Sequence, residues 1–319
     1  MIHGVINVYK EAGMTSFQVV YRLRKLTGEK KIGHTGTLDP DATGILPVCI
    51  GKATKLVDFL MDSDKQYKAT LLFGQKTDTQ DVSGTVLQSM EDTEVRKILQ
   101  NEEQILQMFE RFTGKILQVP PMYSAVKVDG VKLVDAARKG MEIERKERPV
   151  TVFGYEDIRI QGLSEAEGPV TVAFTVNCSK GTYIRTLCED LGDALGVPAC
   201  LKTLERTRTG GLGLSESHTL TELDAAAEEG RLEELIIPTD RFLMHYPEFV
   251  VKDEAIRKLI YGNQLFETDL ISVSEKEAKA YRVYDRNGKF YAVYRYDPRD
   301  HQYKCEKMFS DPSEQEGSK

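Results

Sequence analysis

Between Gly33 and Gly44 the chain reads GHTGTLDPDATG, with apolar runs on either side. One imidazole and two carboxylates, His34, Asp39 and Asp41, sit there among glycine, threonine and proline. Glycine permits positive φ and close approach of a ligand to the backbone. Pro40 stiffens the chain directly after Asp39. Such a loop can hold a carboxylate toward a cleft as nucleophile, base or electrostatic partner. The plainer reading is a turn that Asp39 caps, since Asp-Pro favours turn initiation. Spacing alone chooses neither between these readings nor between Asp39 and Asp41.

A second candidate is CSKGTYIRTL, where Tyr183 and Arg185 lie two apart beside a glycine turn. An arginine near a buried carboxylate keeps it ionised and oriented. The alternative is a core aromatic and a surface arginine. A third is Tyr67, which alternates with Ala69, Leu71 and Phe73 and so faces the core. A tyrosine at the start of a strand also offers a ring on which a base can stack.

Other chemistries fail on spacing. Gly44 and Gly51-Lys52 invite a phosphate-binding loop, but six residues separate the glycines and Ala53 follows the lysine. No Gly-x-Gly-x-x-Gly stands between a strand and a helix. The five histidines are dispersed, so no metal is expected. Five scattered cysteines without a C-x-x-C pair read as reduced thiols, mostly buried.

Several elements must position these groups. GVINVYK reads as a strand, followed by a helix capped by Ser16 with Val19, Val20, Leu23 and Leu26 on one face. A helix is expected around KATKLVDFLM and another over Thr93–Phe112. KLVDAARKG reads as a short helix ended by Gly140. VTVFGYEDIRI and VTVAFTVNCS read as strands, and TYIRTLCEDLGDAL as the helix after them. The acidic stretch near Leu220–Leu235 reads as a surface helix. Beyond Pro238, DEAIRKLIYG is a short helix, and AYRVYDRNGKFYAVYRYD is a hairpin with a type I′ signal at Asn287-Gly288. Strands and helices mix without a regular βαβ rhythm, which indicates α+β.

The 319 residues, 40% of them hydrophobic, suggest two domains. We expect residues 1–244 as the main domain, 245–309 as a small β-rich domain and 310–319 as a disordered tail. No apolar run reaches the roughly 18 residues of a membrane span, and the N-terminus does not read as a signal peptide, so a cytoplasmic protein is expected. The net charge is −7. Locally the pattern differs. From Arg22 to Lys55, seven cations stand against Glu29, Asp39 and Asp41, a surplus of +4, whereas Ser215–Asp240 carries −7. A basic surface beside the loop, with the acidic segment facing away, is therefore expected.

These motifs together resemble the TruB family of bacterial tRNA pseudouridine synthases, which isomerise uridine 55 in the tRNA T-loop. GHTGTLDPDATGILPVCIG is similar to the family's nucleophile motif. KEAGMTS, YKATLLFGQKTDTQDVSG, VPPMYSAVKVDG and CSKGTYIRTLCEDLG resemble further family segments, in the same order. Glu11 departs from the proline often found there. The resemblance implies a mixed, largely antiparallel sheet flanked by helices, followed by a PUA-like RNA-binding domain that meets the acceptor side of tRNA. It implies an enzyme that flips its base and needs no cofactor or metal; a monomer is the default expectation, and the sequence does not exclude a dimer. It assigns the nucleophile to Asp39 and leaves Asp41 as a turn residue. It pairs Arg185 with Asp39, stacks Tyr67 on the uracil as a possible acceptor of the C2′ proton, and lines the pocket with Tyr183 and Leu204. It places His34 beside the extruded nucleotide and Asp81 against RNA; Lys10 and Lys127 are candidates for RNA backbone or inner structure. The competing expectation is a catalytically silent tRNA-binding or tRNA-folding module, which would tolerate loss of Asp39, Tyr67, Tyr183 or Arg185. All four are present.

Overall fold

The computed structural model describes residues 2–164, 168–275 and 278–310. Gly4–Lys10 is a strand (β1) in which only Tyr9 escapes full burial. It continues through a turn into Ser16–Thr27 (α1), then Ile32–His34 (β2) and Thr43–Ile50 (β3). Next come Lys65–Phe73 (β4), Gly114–Gln118 (β5), Arg148–Gln161 (β6), Thr171–Cys178 (β7), Ala199–Thr209 (β8) and Leu212–Gly213 (β9). These strands form one sheet in the order β1-β3-β8-β4-β7-β6-β5, with β2 on β3 and β9 on β8. Only β3–β8 is parallel. The α+β expectation holds. β4 lies between β7 and β8, and its Tyr67, Ala69, Leu71 and Phe73 are buried, as the alternation predicts.

The helices are Val57–Met61 (α2), Asp92–Ile98 (α3), Glu102–Arg111 (α4), Leu133–Ala137 (α5), Ile184–Leu195 (α6), Leu220–Glu228 (α7) and Ile256–Ile260 (α8), of which α1, α3, α4, α6 and α7 share the core of this sheet and α8 packs on a second one. None among the described residues is long and apolar enough to cross a membrane. A second sheet comprises Glu248–Val251 (β10), Leu270–Val273 (β11), Ala280–Tyr284 (β12), Phe290–Asp297 (β13) and Gln302–Met308 (β14), in the order β11-β10-β12-β13-β14. An apolar seam including Val5, Ile45, Leu60, Phe242, Val293 and Phe309 joins the two sheets. Cys49, Cys178, Cys188 and Cys200 are buried free thiols, and Cys305 is half-buried.

Several local expectations change. Thr15, not Ser16, caps α1: its side chain accepts from Gln18 N, and Gln18 returns a bond to the Thr15 backbone. The helix expected over Thr93–Phe112 is two helices, because Asn101 takes a capping conformation and accepts from Gln104 N at 2.9 Å. KATKLVDFLM begins as a 3₁₀ turn, Gly51–Leu56, before α2. The β12–β13 hairpin exists, but its turn is not type I′. Only Gly288 has positive φ, and the Asp285 carboxylate ties down Asn287 N and Lys289 N at 2.9 Å each. Ser310 is buried, and its carbonyl accepts from Lys52 Nζ at 2.7 Å, so it is no part of a loose tail; residues 311–319 lie outside the described residues.

The charge expectation also changes. α7 packs beside α1, where Arg22 pairs with Asp224, so the acidic segment does not face away from the basic one. Lys52 and Lys55 bond backbone carbonyls at the end of β14 and beyond. Arg22, Lys52 and Lys55 thus have partners within the protein, while Arg24, Lys25, Lys30 and Lys31 remain exposed.

At the β3–β8 crossing Gly44 has φ +102°, and a Cβ there would stand 2.2 Å from the Arg206 carbonyl oxygen. We predict that Gly44→Ala lowers unfolding free energy by ~3 kcal/mol, read from the urea midpoint, through strain and backbone overlap together.

Candidate active site

The hairpin between β2 and β3 carries the loop that holds Asp39. Its conformation is fixed by groups that do not touch the carboxylate. Ser16 Oγ donates to Leu38 O at 3.2 Å and accepts from Leu38 N at 2.9 Å, which fastens the loop to the start of α1. Thr15 does the capping, so Ser16 is free for this clamp. Lys10 is fully buried, and its ammonium donates to the carbonyls of Glu11, Met14 and Pro40 at 2.9, 2.8 and 2.9 Å. Burial draws Lys10 down to about 8, opposed by Asp41 and Asp39, so it remains charged at neutral pH. Gly13 N adds a bond to Pro40 O at 3.0 Å. Lys10 thus belongs to inner structure. Arg206 completes the frame: its Nε donates to Ile45 O at 2.8 Å and its Nη2 to Gly36 O at 3.1 Å.

Arg185 approaches from the first turn of α6. Its Nε stands 2.9 Å from Asp39 Oδ2 and its Nη2 donates to Asp39 Oδ1 at 3.2 Å. Nη1 donates to Thr79 O and Nη2 to Tyr123 O, each at 2.8 Å. A cation in the first turn opposes the helix dipole, a cost of ~0.3–1 kcal/mol that the carboxylate and carbonyls offset. Tyr183 is the N-cap residue, and Gln118 fixes it by accepting from Tyr183 N at 3.1 Å and donating to Tyr183 O at 3.3 Å. Burial pushes the Asp39 carboxyl up; Arg185 pulls it down, Asp81 pushes it up and Lys10 pulls it down. The Asp39 side chain is still 38% exposed, so one side opens to the cleft.

That cleft measures about 1050 Å³ and is lined by Asp39 together with His34, Tyr67, Asp81, Tyr183, Arg185 and Leu204. The seven residues that the resemblance implied for nucleophile, pocket and RNA contact therefore meet at one cavity, which Asp41 also lines and Lys10 and Lys127 do not. Tyr67 is buried, and burial pushes its phenol up against the opposing Arg206 guanidinium. His34 Nδ1 accepts from Gly36 N at 3.3 Å, and burial followed by Arg206 lowers its pKa, leaving a neutral imidazole. Asp81 is occupied by its own loop: Oδ1 accepts from Thr79 Oγ1 at 2.7 Å and from Ser83 N and Oγ at 3.0 and 2.6 Å. Its Oδ2 lies 3.9 Å from Arg185 Nη1. Asp41 is exposed at the rim, and Lys127 is exposed on a small ribbon, Lys127–Val128 with Val131–Lys132.

Two features escaped the sequence. Arg206 sits in LERTRT, where alternation should reveal a buried charge, but two register shifts in the β8–β4 pairing break the period. The cations lining the cleft are Lys132, Arg138, Arg148, Lys180 and Lys202, together with the buried Lys65, Arg185 and Arg206. None comes from the basic Arg22–Lys55 segment. They gather from distant strands and loops, which no local charge count reveals.

The family model described as TruB family pseudouridylate synthase (N terminal domain) matches residues 24–184. The model described as tRNA pseudouridylate synthase B C-terminal domain matches residues 185–244. The chain belongs to the TruB family. Among its relatives, tRNA pseudouridine synthase B of Lachnoclostridium phytofermentans is 44% identical over 312 residues, covering 97% of this chain and 100% of that protein. The protein of the same name from Clostridium perfringens (strain SM101 / Type A) is 40% identical over 307 residues, covering 96% and 99%. Among solved structures, a Cbf5-Nop10-Gar1 complex aligns with TM-score 0.67 at 28% identity, covering 97% of this chain and 86% of that one. The family and fold implied by the motifs are both borne out.

In a carbon-13 titration of aspartate carboxyls, Asp39 is expected to titrate above the ordinary value of 3.8, because burial outweighs its cations. Arg185→Met removes the largest lowering influence and should move the midpoint higher still. A midpoint that stays or falls would contradict the assigned electrostatics.

Proposed function

We propose that this TruB family member isomerises uridine 55 in the T-loop of tRNA to pseudouridine, with Asp39 as nucleophile acting on a flipped base. The observation that carries the reading is the Arg185–Asp39 pair, open on one side to a cleft that also holds Tyr67. Relatives about 40% identical that bear the name tRNA pseudouridine synthase B support it.

The reaction breaks the N1–C1′ bond, turns the uracil and joins C5 to C1′. The C5 proton leaves and N1 gains one, so the net change is an isomerisation without redox or an energy source. A carboxylate suits each available route: attack at C1′, attack at C6, or removal of the C2′ proton as the base departs. Arg185 holds both carboxylate oxygens, so the group arrives aimed and loses little on reaching the transition state. Burial keeps the Tyr67 phenol neutral, which makes it a ring for stacking and an O–H donor.

A neutral imidazole at His34 can fill the space left by the uridine without attracting phosphate. Flipping costs a few kcal/mol, less in an already bent loop than in a duplex. Shape and stacking rather than duplex reading then recognise the T-loop. Arg138, Arg148 and Lys202 at the cleft are placed to meet phosphates; Lys180 there already pairs with Asp62 at 2.7 Å. Asp81 acts through its loop and Arg185 more than by touching RNA. We assign catalysis to residues 1–244 and a PUA-like, RNA-binding role toward the acceptor side of tRNA to residues 245–309.

The test is nucleoside analysis of an unmodified tRNA transcript after incubation with enzyme. Wild type should form pseudouridine at position 55. Asp39→Asn should lose roughly 10³-fold or more in rate, while Asp41→Asn stays within a few-fold. Tight binding by wild type without any product would leave only a tRNA-folding module.

A further inference from the structure

We propose that the outward row Phe17, Tyr21 and Lys25 of α1 is a stacking platform for an unpaired nucleotide of the RNA substrate next to the reacting uridine. The inference rests on the RNA reading given above. α1 buries Val19, Val20 and Leu23, so its opposite face should be polar. Instead Phe17 is 65% and Tyr21 51% exposed. At i, i+4 and i+8 the three residues lie in one line along the helix. The Lys25 ammonium stands 4.7 Å from the centre of the Tyr21 ring. Two solvent-facing rings beside a cation match the combination that binds unstacked nucleotides: π-faces for bases and a charge for the phosphate.

Position argues for the same occupant. Phe17 lines the catalytic cleft, so the row begins at the cleft wall and runs outward from it. The residue before it, Ser16, is bonded in both directions to Leu38, the neighbour of Asp39. The platform and the nucleophile are therefore held in fixed relation by two hydrogen bonds. An RNA strand whose uridine enters the cleft meets Phe17 as it leaves. A base stacked there helps hold the strand in register, so Phe17 is a positioning residue and not a catalytic one.

The chain contains no tryptophan, so Phe17→Trp places a single indole on the platform, excited selectively at wavelengths where tyrosine does not absorb. Titration of that variant with unmodified tRNA transcript should quench its emission, saturating at the same RNA concentration as filter binding. Phe17→Ala should weaken RNA binding roughly 5- to 150-fold, with the single-turnover rate at saturating RNA near wild type. Phe17→Leu should not restore binding, whereas Phe17→Trp should. Unchanged affinity in Phe17→Ala, or unaltered emission while RNA is bound, overturns the platform. Emission of Phe17→Trp that responds to protein concentration but not to RNA overturns it too, in favour of a second copy of the chain on this face. If wild type neither binds nor isomerises the transcript, the RNA reading falls and the platform with it; if wild type does both, the variants judge the platform alone.

Discussion

Arg185 spends its donors on three different segments. Two nitrogens grip Asp39, and the same guanidinium satisfies the carbonyls of Thr79 and Tyr123. It is buried, so its charge has no water to fall back on. Removing any acceptor leaves a desolvated cation, and removing the arginine leaves a carboxylate short of its counter-charge. The start of α6, the loop around Thr79 and the segment at Tyr123 are thus mutually dependent. Gln80 adds to this by donating to Glu189 at 3.0 Å and accepting from Thr186 Oγ1 at 2.9 Å, both residues of α6.

The loop that carries Asp39 is set by a second group of buried cations that never reach the carboxylate. Lys10 and Arg206 donate to main-chain carbonyls around the loop, and Ser16 closes its remaining side. Hydrogen bonds from ionised groups to fixed carbonyls are short and directional. They hold a glycine-rich backbone that would otherwise sample many conformations. Gly44 is needed where β3 meets β8, since any side chain there would strike the Arg206 backbone. The glycines and charges of the motif therefore answer one demand: a carboxylate aimed into a cleft from a loop too tight for ordinary residues.

Much of this was legible in the sequence. The alternation in β4 showed which face Tyr67 occupies, and the apolar spacing of α1 showed its buried side. Family resemblance then chose Asp39 over Asp41, which spacing could not do. What stayed hidden depended on contacts between distant segments. Arg206 was masked by bulges in β8, and the cleft cations by their dispersal along the chain. The Arg22–Lys55 surplus did not locate the cleft cations, because none of its cations lines the cavity and Arg22, Lys52 and Lys55 are held by Asp224 and backbone carbonyls. Ser16 reads as the cap of α1, but Thr15 takes that place and Ser16 bonds Leu38 instead, a contact between segments that local sequence does not reveal.

The central claim is that the fork geometry of Arg185, and not merely its charge, makes Asp39 competent. Arg185→Lys keeps the charge but loses the planar pair of donors. The decisive measurement is its single-turnover rate of pseudouridine formation at saturating tRNA, read beside its RNA affinity and its circular dichroism. A rate roughly 10²-fold below wild type, with fold intact and affinity within a few-fold, is the expected result for a carboxylate displaced by about an ångström. A rate close to that of wild type would show that charge alone suffices and would contradict the account.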